Sequence, residues 1–180
     1  MEPKRKTIFL DRDGTINVDT GTVYNVSDWS FVEGAGEALE ILNRDGYALA
    51  VVTNQAAVAD GRTSMGNLAA IHGHLLRELE KVGVRIDGIA YCPHRSDAGC
   101  ECRKPRPGML NMIEDQLGSI DREESWMIGD KESDIGFGRN IGVQTSLIRS
   151  RYWDSNTLVV KPDRIVDSLL EFARTIVQGP

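Results

Sequence analysis

Apolar positions along the chain follow two rhythms. Short continuous runs, Thr7–Leu10, Tyr47–Thr53, Ile86–Cys92, Ser125–Ile128 and Thr145–Ile148, have the character of strands buried on both faces. Between them, apolar residues recur at three- and four-residue steps, the helical period. Ala35, Leu39 and Leu42 mark one face of a helix over Gly34–Arg44, with Gly46 placed to cap its end. Leu68, Ile71, Leu75, Leu79 and Val82 mark a longer helix over Ser64–Val82, which Gly83 ends. Pro107 suits the first position of a helix running through Leu117. A glycine-containing helix follows Gly129-Asp130, and Arg164–Val177 reads as a terminal helix. Strands alternating with helices predict an α/β fold: a Rossmann-like three-layer α/β/α sandwich with a mostly parallel sheet. With 180 residues and neither an internal repeat nor a Ser/Pro linker, one domain over 1–180 is expected.

In such sheets ligands bind beyond the carboxyl ends of the strands. Three polar sets stand at those ends: Asp11-Arg12-Asp13-Gly14-Thr15, Thr53-Asn54-Gln55 and Gly129-Asp130-Lys131. Gly14 permits a sharp turn that lets Asp11 and Asp13 face one small site. An ordinary Asp-Gly turn is the bland alternative. A calcium loop of the EF-hand kind fails, because Ile16 stands where that loop requires glycine. Asp130 and Asp134 add carboxylates at a second strand end. Converging carboxylates repel by about 4 kcal/mol per pair at 4 Å and an effective dielectric of about 20. A divalent cation relieves this, and an all-oxygen donor set favours Mg²⁺ over zinc.

All three cysteines lie between positions 92 and 102, which excludes a distributed disulfide framework. Cys92, His94, Cys100 and Cys102 follow the pattern C-x-H-x₅-C-x-C, the donors of a tetrahedral structural Zn²⁺ site with no open position for catalysis. Reduced thiols near a turn are the alternative. A metal there clips the loop over 92–104 and fixes Arg103 and Lys104, which follow directly. His72 and His74 are two apart on the long helix, point to different faces, and read as surface or boundary residues.

The run Phe9-Leu10-Asp11-Arg12-Asp13-Gly14-Thr15 resembles the first motif of the haloacid dehalogenase (HAD) superfamily of phosphatases. Thr53, Lys104 and Gly129-Asp130-Lys131-Glu132-Ser133-Asp134 match the second, third and fourth motifs, in order. The resemblance implies a phosphomonoester hydrolase with Asp11 as nucleophile and Asp13 as general acid/base. It gives Thr53 and Lys104 the phosphoryl oxygens, and Mg²⁺ to Asp11, Asp130 and the backbone carbonyl of Asp13. Asp134 then orients metal-bound water or Lys131, or serves as a helix N-terminal acid. The cysteine cluster with Arg103-Lys104-Pro105-Arg106-Pro107-Gly108-Met109 is similar to two enzyme groups within that superfamily. One comprises the heptose 1,7-bisphosphate 7-phosphatases of lipopolysaccharide synthesis, the other the histidinol-phosphate phosphatases. The segment Asp13–Asp19 with Gly21, and Phe31–Gly34, look like the heptose group. The five-residue gap between His94 and Cys100 looks more like the other group, or like shorter heptose enzymes, and Ala56, Ala57 and Asp60 depart from the heptose pattern. A non-catalytic binder of phosphorylated ligands, or a zinc-stapled interaction module, is the reading from another class.

About twenty residues separate Thr15 from the first helix, too few for a large cap domain. Substrate choice is therefore expected from loops: Asp19, Thr20, Gly21 and Thr22; Asn54, Gln55 and Ala56; and Arg103, with Lys131 beside them. Arg103 is the foremost candidate for a second phosphate or a carboxylate. The charge sum is −6, which argues against nucleic acid as partner. No apolar run approaches a membrane span, and the first ten residues lack the apolar stretch of a secretory signal. A cytoplasmic monomer acting on a small phosphorylated sugar or metabolite is the expectation.

Overall fold

The structure is a computed structural model, and it describes residues 3–21, 23–151 and 157–178. Six strands, β1 (Arg5–Leu10), β2 (Ala48–Asn54), β3 (Gly88–Cys92), β4 (Ile120–Gly129), β5 (Gln144–Ile148) and β6 (Arg164–Val166), form one sheet. Their spatial order is β3-β2-β1-β4-β5-β6, and every neighbouring pair is parallel. The helices are α1 (Ala35–Arg44), α2 (Met65–Glu80), α3 (Met109–Leu117), α4 (Glu132–Ile141) and α5 (Leu169–Gln178).

Alternation along the central strands splits the core in two. Ile8 and Leu10 of β1, with Leu49 and Val51 of β2, face α1, α2 and α5 through Leu39, Leu42, Ile71, Leu75 and Phe172. Phe9, with Ala48, Ala50 and Val52, faces α3 and α4 through Met109, Ile113 and Phe137. Both faces are covered, as the continuous apolar runs require, and each fully buried Ile or Leu contributes about 1.5–3 kcal/mol. Small residues set the spacing on the second face: a Cβ at Gly138 would overlap Met127 of β4 and Thr145 of β5.

Several expectations are corrected. The terminal helix over Arg164–Val177 is a strand followed by a helix: Arg164–Val166 pairs with β5, and α5 starts only at Leu169. The stop lies in Asp167-Ser168, where Ser168 Oγ accepts from the Glu171 amide and Glu171 accepts from the Asp167 amide. α3 begins at Met109 rather than at Pro107. α2 ends at Glu80, which leaves Val82 54% exposed and off the core face. β4 also starts earlier than the apolar run, at Ile120. Its polar stretch Asp121–Glu124 bulges out against β1, and Ser125 Oγ takes the Thr7 amide.

Candidate active site

β1 is central, so its carboxyl end is flanked by those of β2 and β4, and the polar sets after all three meet there. Past Leu10 the Asp11 amide still donates to Ile128 O of β4, after which the chain turns. The Arg12 carbonyl accepts from the amides of Ile16 and Asn17 at 2.9 and 3.1 Å. Gly14 takes φ +85° in this turn, and a Cβ there would overlap the Asp130 carboxylate. Only glycine allows both the backbone conformation and the approach.

Asp11, Asp130 and Asp134 are each nearly fully buried, and one carboxylate oxygen from each lies within 4.8 Å of the others. Lys104 enters from the loop before α3. Its Nζ donates to Asp11 Oδ1 at 2.8 Å and to Val52 O at 2.6 Å. It also forms an ion pair with Asp134 Oδ1 at 2.7 Å. Burial raises the Asp11 carboxyl despite the attraction of Lys104. Burial opposes the charge of Lys104, but Asp11 and Asp134 outweigh it and raise its pKa. Asp130 is pushed up to about 7, by burial first and then by Asp11. Its Oδ1 is buried with no hydrogen-bond donor, and its nearest cation is Lys131 Nζ at 3.6 Å. A buried, all-oxygen donor set with an orphaned anionic oxygen fits a hard divalent cation.

Asp13 sits at the rim, with its side chain 19% exposed. Arg12 Nη2 donates to both carboxylate oxygens at 3.0 and 2.9 Å, and Asn17 Nδ2 to Oδ1 at 2.9 Å. Gln55 Nε2 donates to Oδ2 at 2.7 Å and to Thr53 Oγ1 at 2.9 Å. Gln55, expected on the substrate, is thus turned onto Asp13 and Thr53.

A small cavity of about 40 Å³ lies over these groups, lined by Asp11, Asp13, Thr53, Lys104, Lys131 and Asp134. It adjoins a pocket of about 250 Å³ that shares Asp13, Asn54 and Lys131 with it. Asp19, Gly21, Gln55 and Ala56 line that larger pocket, with Tyr24 and Arg62. Thr20 lines neither cavity, and Thr22 lies outside the described residues. Lys131 Nζ spans from Asp130 to Asp19 Oδ2, 3.1 Å away. Asn54 braces the loop, its side chain exchanging hydrogen bonds with the backbone of Lys104. Arg103 lines neither cavity and donates to His94 O at 3.3 Å. Asp60, which departs from the heptose pattern, pairs with Arg62 and, at 2.9 Å, with Arg95.

In the loop after β3, donor atoms of Cys92, His94, Cys100 and Cys102 all lie within 4.8 Å of one another. Cys92 Sγ is 3.5 Å from Cys100 Sγ, and His94 Nδ1 is 3.3 Å from Cys102 Sγ. Burial and the neighbouring thiols push Cys102 up to about 12. At Cys100 the hydrogen bonds of Cys92 and Cys102 outweigh burial and bring it to about 7. Three sulfurs this close do not all ionise without a cation among them, and the S₃N donor set fits zinc.

The HAD-hydrolase-like family model matches residues 101–172, which carry Lys104, Asp130 and Asp134. A D-glycero-beta-D-manno-heptose-1,7-bisphosphate 7-phosphatase of Haemophilus ducreyi is 38% identical over 175 residues, covering 93% of this chain and 96% of the relative. The chain belongs to the HAD-like hydrolase family. A relative of the same name from Escherichia coli is 40% identical over 152 residues, covering 79% of this chain and 78% of that one. Among solved structures, a D,D-heptose 1,7-bisphosphate phosphatase from B. bronchiseptica, complexed with magnesium and phosphate, superposes with a TM-score of 0.85. It is 30% identical, over 96% of this chain and 98% of that one.

Sequence reasoning passed over several residues that this HAD-like hydrolase places at the site. Arg12 is fully buried, whereas arginine is ordinarily exposed. His72 is not a surface or boundary residue: it is 8% exposed, and its Nε2 lies 3.3 Å from Arg12 Nη1. The signal was available, since His72 is four residues from Leu68 and three from Leu75, on the apolar face of α2. Arg62 entered no motif. It is remote from Arg95 in sequence, and Asp60 links the two by pairing with both.

Proposed function

We propose that this HAD-like hydrolase is a Mg²⁺-dependent phosphatase that removes the 7-phosphate of D-glycero-D-manno-heptose 1,7-bisphosphate through an aspartyl-phosphate. The observation that carries the reading is the convergence of the buried Asp11, Asp130 and Asp134 on one point, with Lys104 and Asp13 beside it. The names of the relatives, at 33–44% identity, support the substrate.

Asp11, Asp130 and the backbone carbonyl of Asp13 would hold Mg²⁺, with Asp134 orienting its water or Lys131. Bound there, the ion supplies charge neutralisation of the phosphoryl group. Asp11 attacks phosphorus in line; the new Asp11 O–P bond forms as the ester P–O bond breaks. Asp13 gives its proton to the leaving alkoxide. It then takes a proton from the water that attacks phosphorus, and the Asp11 O–P bond breaks to release inorganic phosphate. Lys104 and Thr53 donate to the non-bridging oxygens. The sugar occupies the larger pocket, where Lys131 and Arg62 are the cations available to its distal phosphate. Cys92, His94, Cys100 and Cys102 would hold a structural Zn²⁺ that keeps Arg103 and Lys104 in place. The chain works as one domain over 1–180, a cytoplasmic monomer on this reading.

The test is phosphate release with Mg²⁺, heptose 1,7-bisphosphate against histidinol phosphate. A heptose preference of about a hundredfold in kcat/KM, about 2.7 kcal/mol, is expected, with turnover lost in EDTA and in Asp11→Asn. A histidinol-phosphate preference refutes the substrate. Binding without turnover across a phosphate panel refutes the chemistry.

A further inference from the structure

Arg12 is the largest fully buried side chain of the described residues, and it lies one residue from the metal cradle without facing it. Its guanidinium makes three kinds of contact. Nη2 spans both oxygens of Asp13, and Nε adds a bond to Asp13 Oδ1 at 3.2 Å. Nη1 lies 3.3 Å from His72 Nε2. The Trp29 ring lies 5.7 Å from the guanidinium carbon. The Arg12 carbonyl meanwhile anchors the turn through the Ile16 and Asn17 amides.

A buried ion pair is weak evidence for stability, because desolvation cancels much of its attraction. Its distinctive property is geometric: the planar, forked donor sets a carboxylate's orientation as well as its place. Nothing about phosphate binding asks for this arginine, since no lining atom of either cavity belongs to it. His72 completes the arrangement. Burial, then the neighbouring Arg12 charge, depress its pKa to about 4, so near neutral pH the imidazole is uncharged and can accept from Nη1. The ring is held in turn against Tyr91 of β3, 5.6 Å between centroids.

We propose that Arg12 is a positioning residue that sets the Asp13 carboxylate for proton transfer, with His72 holding the guanidinium in register. The proposal rests on the reading of Asp13 as the group that first gives and then takes a proton. Asn17 and Gln55 each fix one oxygen from one direction; among the described residues only Arg12 spans the two. A misplacement of about 1 Å in a proton-transfer group costs on the order of a hundredfold in rate.

The two half-reactions make this testable apart from folding. p-Nitrophenolate is a weak base that departs with little help from an acid, whereas hydrolysis of the aspartyl-phosphate still requires Asp13 as base. In stopped-flow with Mg²⁺, Arg12→Lys is expected to release a burst of one nitrophenolate per enzyme, then turn over about 20- to 100-fold more slowly than the native protein. With an alkyl phosphate, whose leaving group needs the proton, the same variant gives no burst. Turnover within about threefold of native, or a fall with no burst, overturns the proposal. His72→Leu removes the acceptor and should give the burst with a smaller fall, which His72→Gln restores. A fall in His72→Leu with no burst overturns the proposal even if Arg12→Lys does not fold. Asp13→Asn separates the two levels. A burst there that is absent from Arg12→Lys sinks the positioning role alone. Native turnover in Asp13→Asn sinks the reading of Asp13 on which it rests.

Discussion

Replacing Asp130 by asparagine should stabilise the metal-free protein. Asp130 is 1% exposed, one of its oxygens has no hydrogen bond, and its pKa rises from 3.8 to about 7. A carboxyl raised in the folded state binds its proton more tightly folded than unfolded. The contribution of this group to stability is therefore fully present below pH 3.8 and is lost as pH climbs through about 7. At about 1.4 kcal/mol per tenfold, the ionised group costs the metal-free fold about 4 kcal/mol at pH 8. The asparagine side chain carries no charge to desolvate, so the variant should recover about half or more of that, roughly 5–10 °C in Tm for a chain of this size. The assay is thermal unfolding in EDTA from pH 5 to pH 8, native against variant. Taking the difference removes other titrations, such as that of His72, which works in the opposite direction as pH falls. The gap should widen up to about pH 7 and then level off. Millimolar Mg²⁺ should close it by raising the native Tm alone. A variant less stable than native in EDTA at pH 8, or a gap independent of pH, refutes the account of Asp130 as an uncompensated buried anion.

Other perturbations reach different parts of the site. Gly14→Ala places a Cβ on the Asp130 carboxylate in a turn of φ +85°, and should abolish Mg²⁺-dependent turnover while the β-sheet circular dichroism stays native. Cys100→Ser removes one of four clustered donors. It should release zinc, lower Tm, and reduce kcat through the loop that carries Lys104; native zinc content and Tm would end that view. Arg62→Ala should raise KM for the bisphosphate about tenfold, about 1.4 kcal/mol of binding, with kcat nearly unchanged. A matching fall in kcat would place Arg62 in the chemistry instead.

The strand-helix rhythm was legible because buried strands and amphipathic helices have different periods, and both cores depend on that pattern. The carboxylates Asp11 and Asp130 were legible because polar residues directly after apolar runs must lie at a strand end, and Asp134 because it follows Asp130 by one helical turn. Their convergence with Lys104 follows from the strand order, which no local pattern states. β6 was hidden because Arg-Ile-Val is too short for a period, and the Ser168-Leu169-Leu170-Glu171 capping signal beyond it was passed over. Arg12 and Gln55 show the limit most clearly. A side chain's type says what it can bond, but only the packed turn says that both bond Asp13.

The central place of β1 has a consequence for the order in which the molecule is made. β1 emerges first and finds β2 about forty residues later, but its other edge waits for β4. The Thr7 amide is answered by Ser125, 118 residues on. Until then a nascent chain presents Ile8, Phe9 and Leu10 along an unpaired edge, and Asp11 has neither Asp130 nor Asp134 beside it. Pairing across such separations closes late and leaves the edge open to other chains meanwhile. A ribosome-stalled chain ending before residue 120 should therefore engage chaperones and bind no magnesium, and the metal cradle should form only once β4 has taken its place.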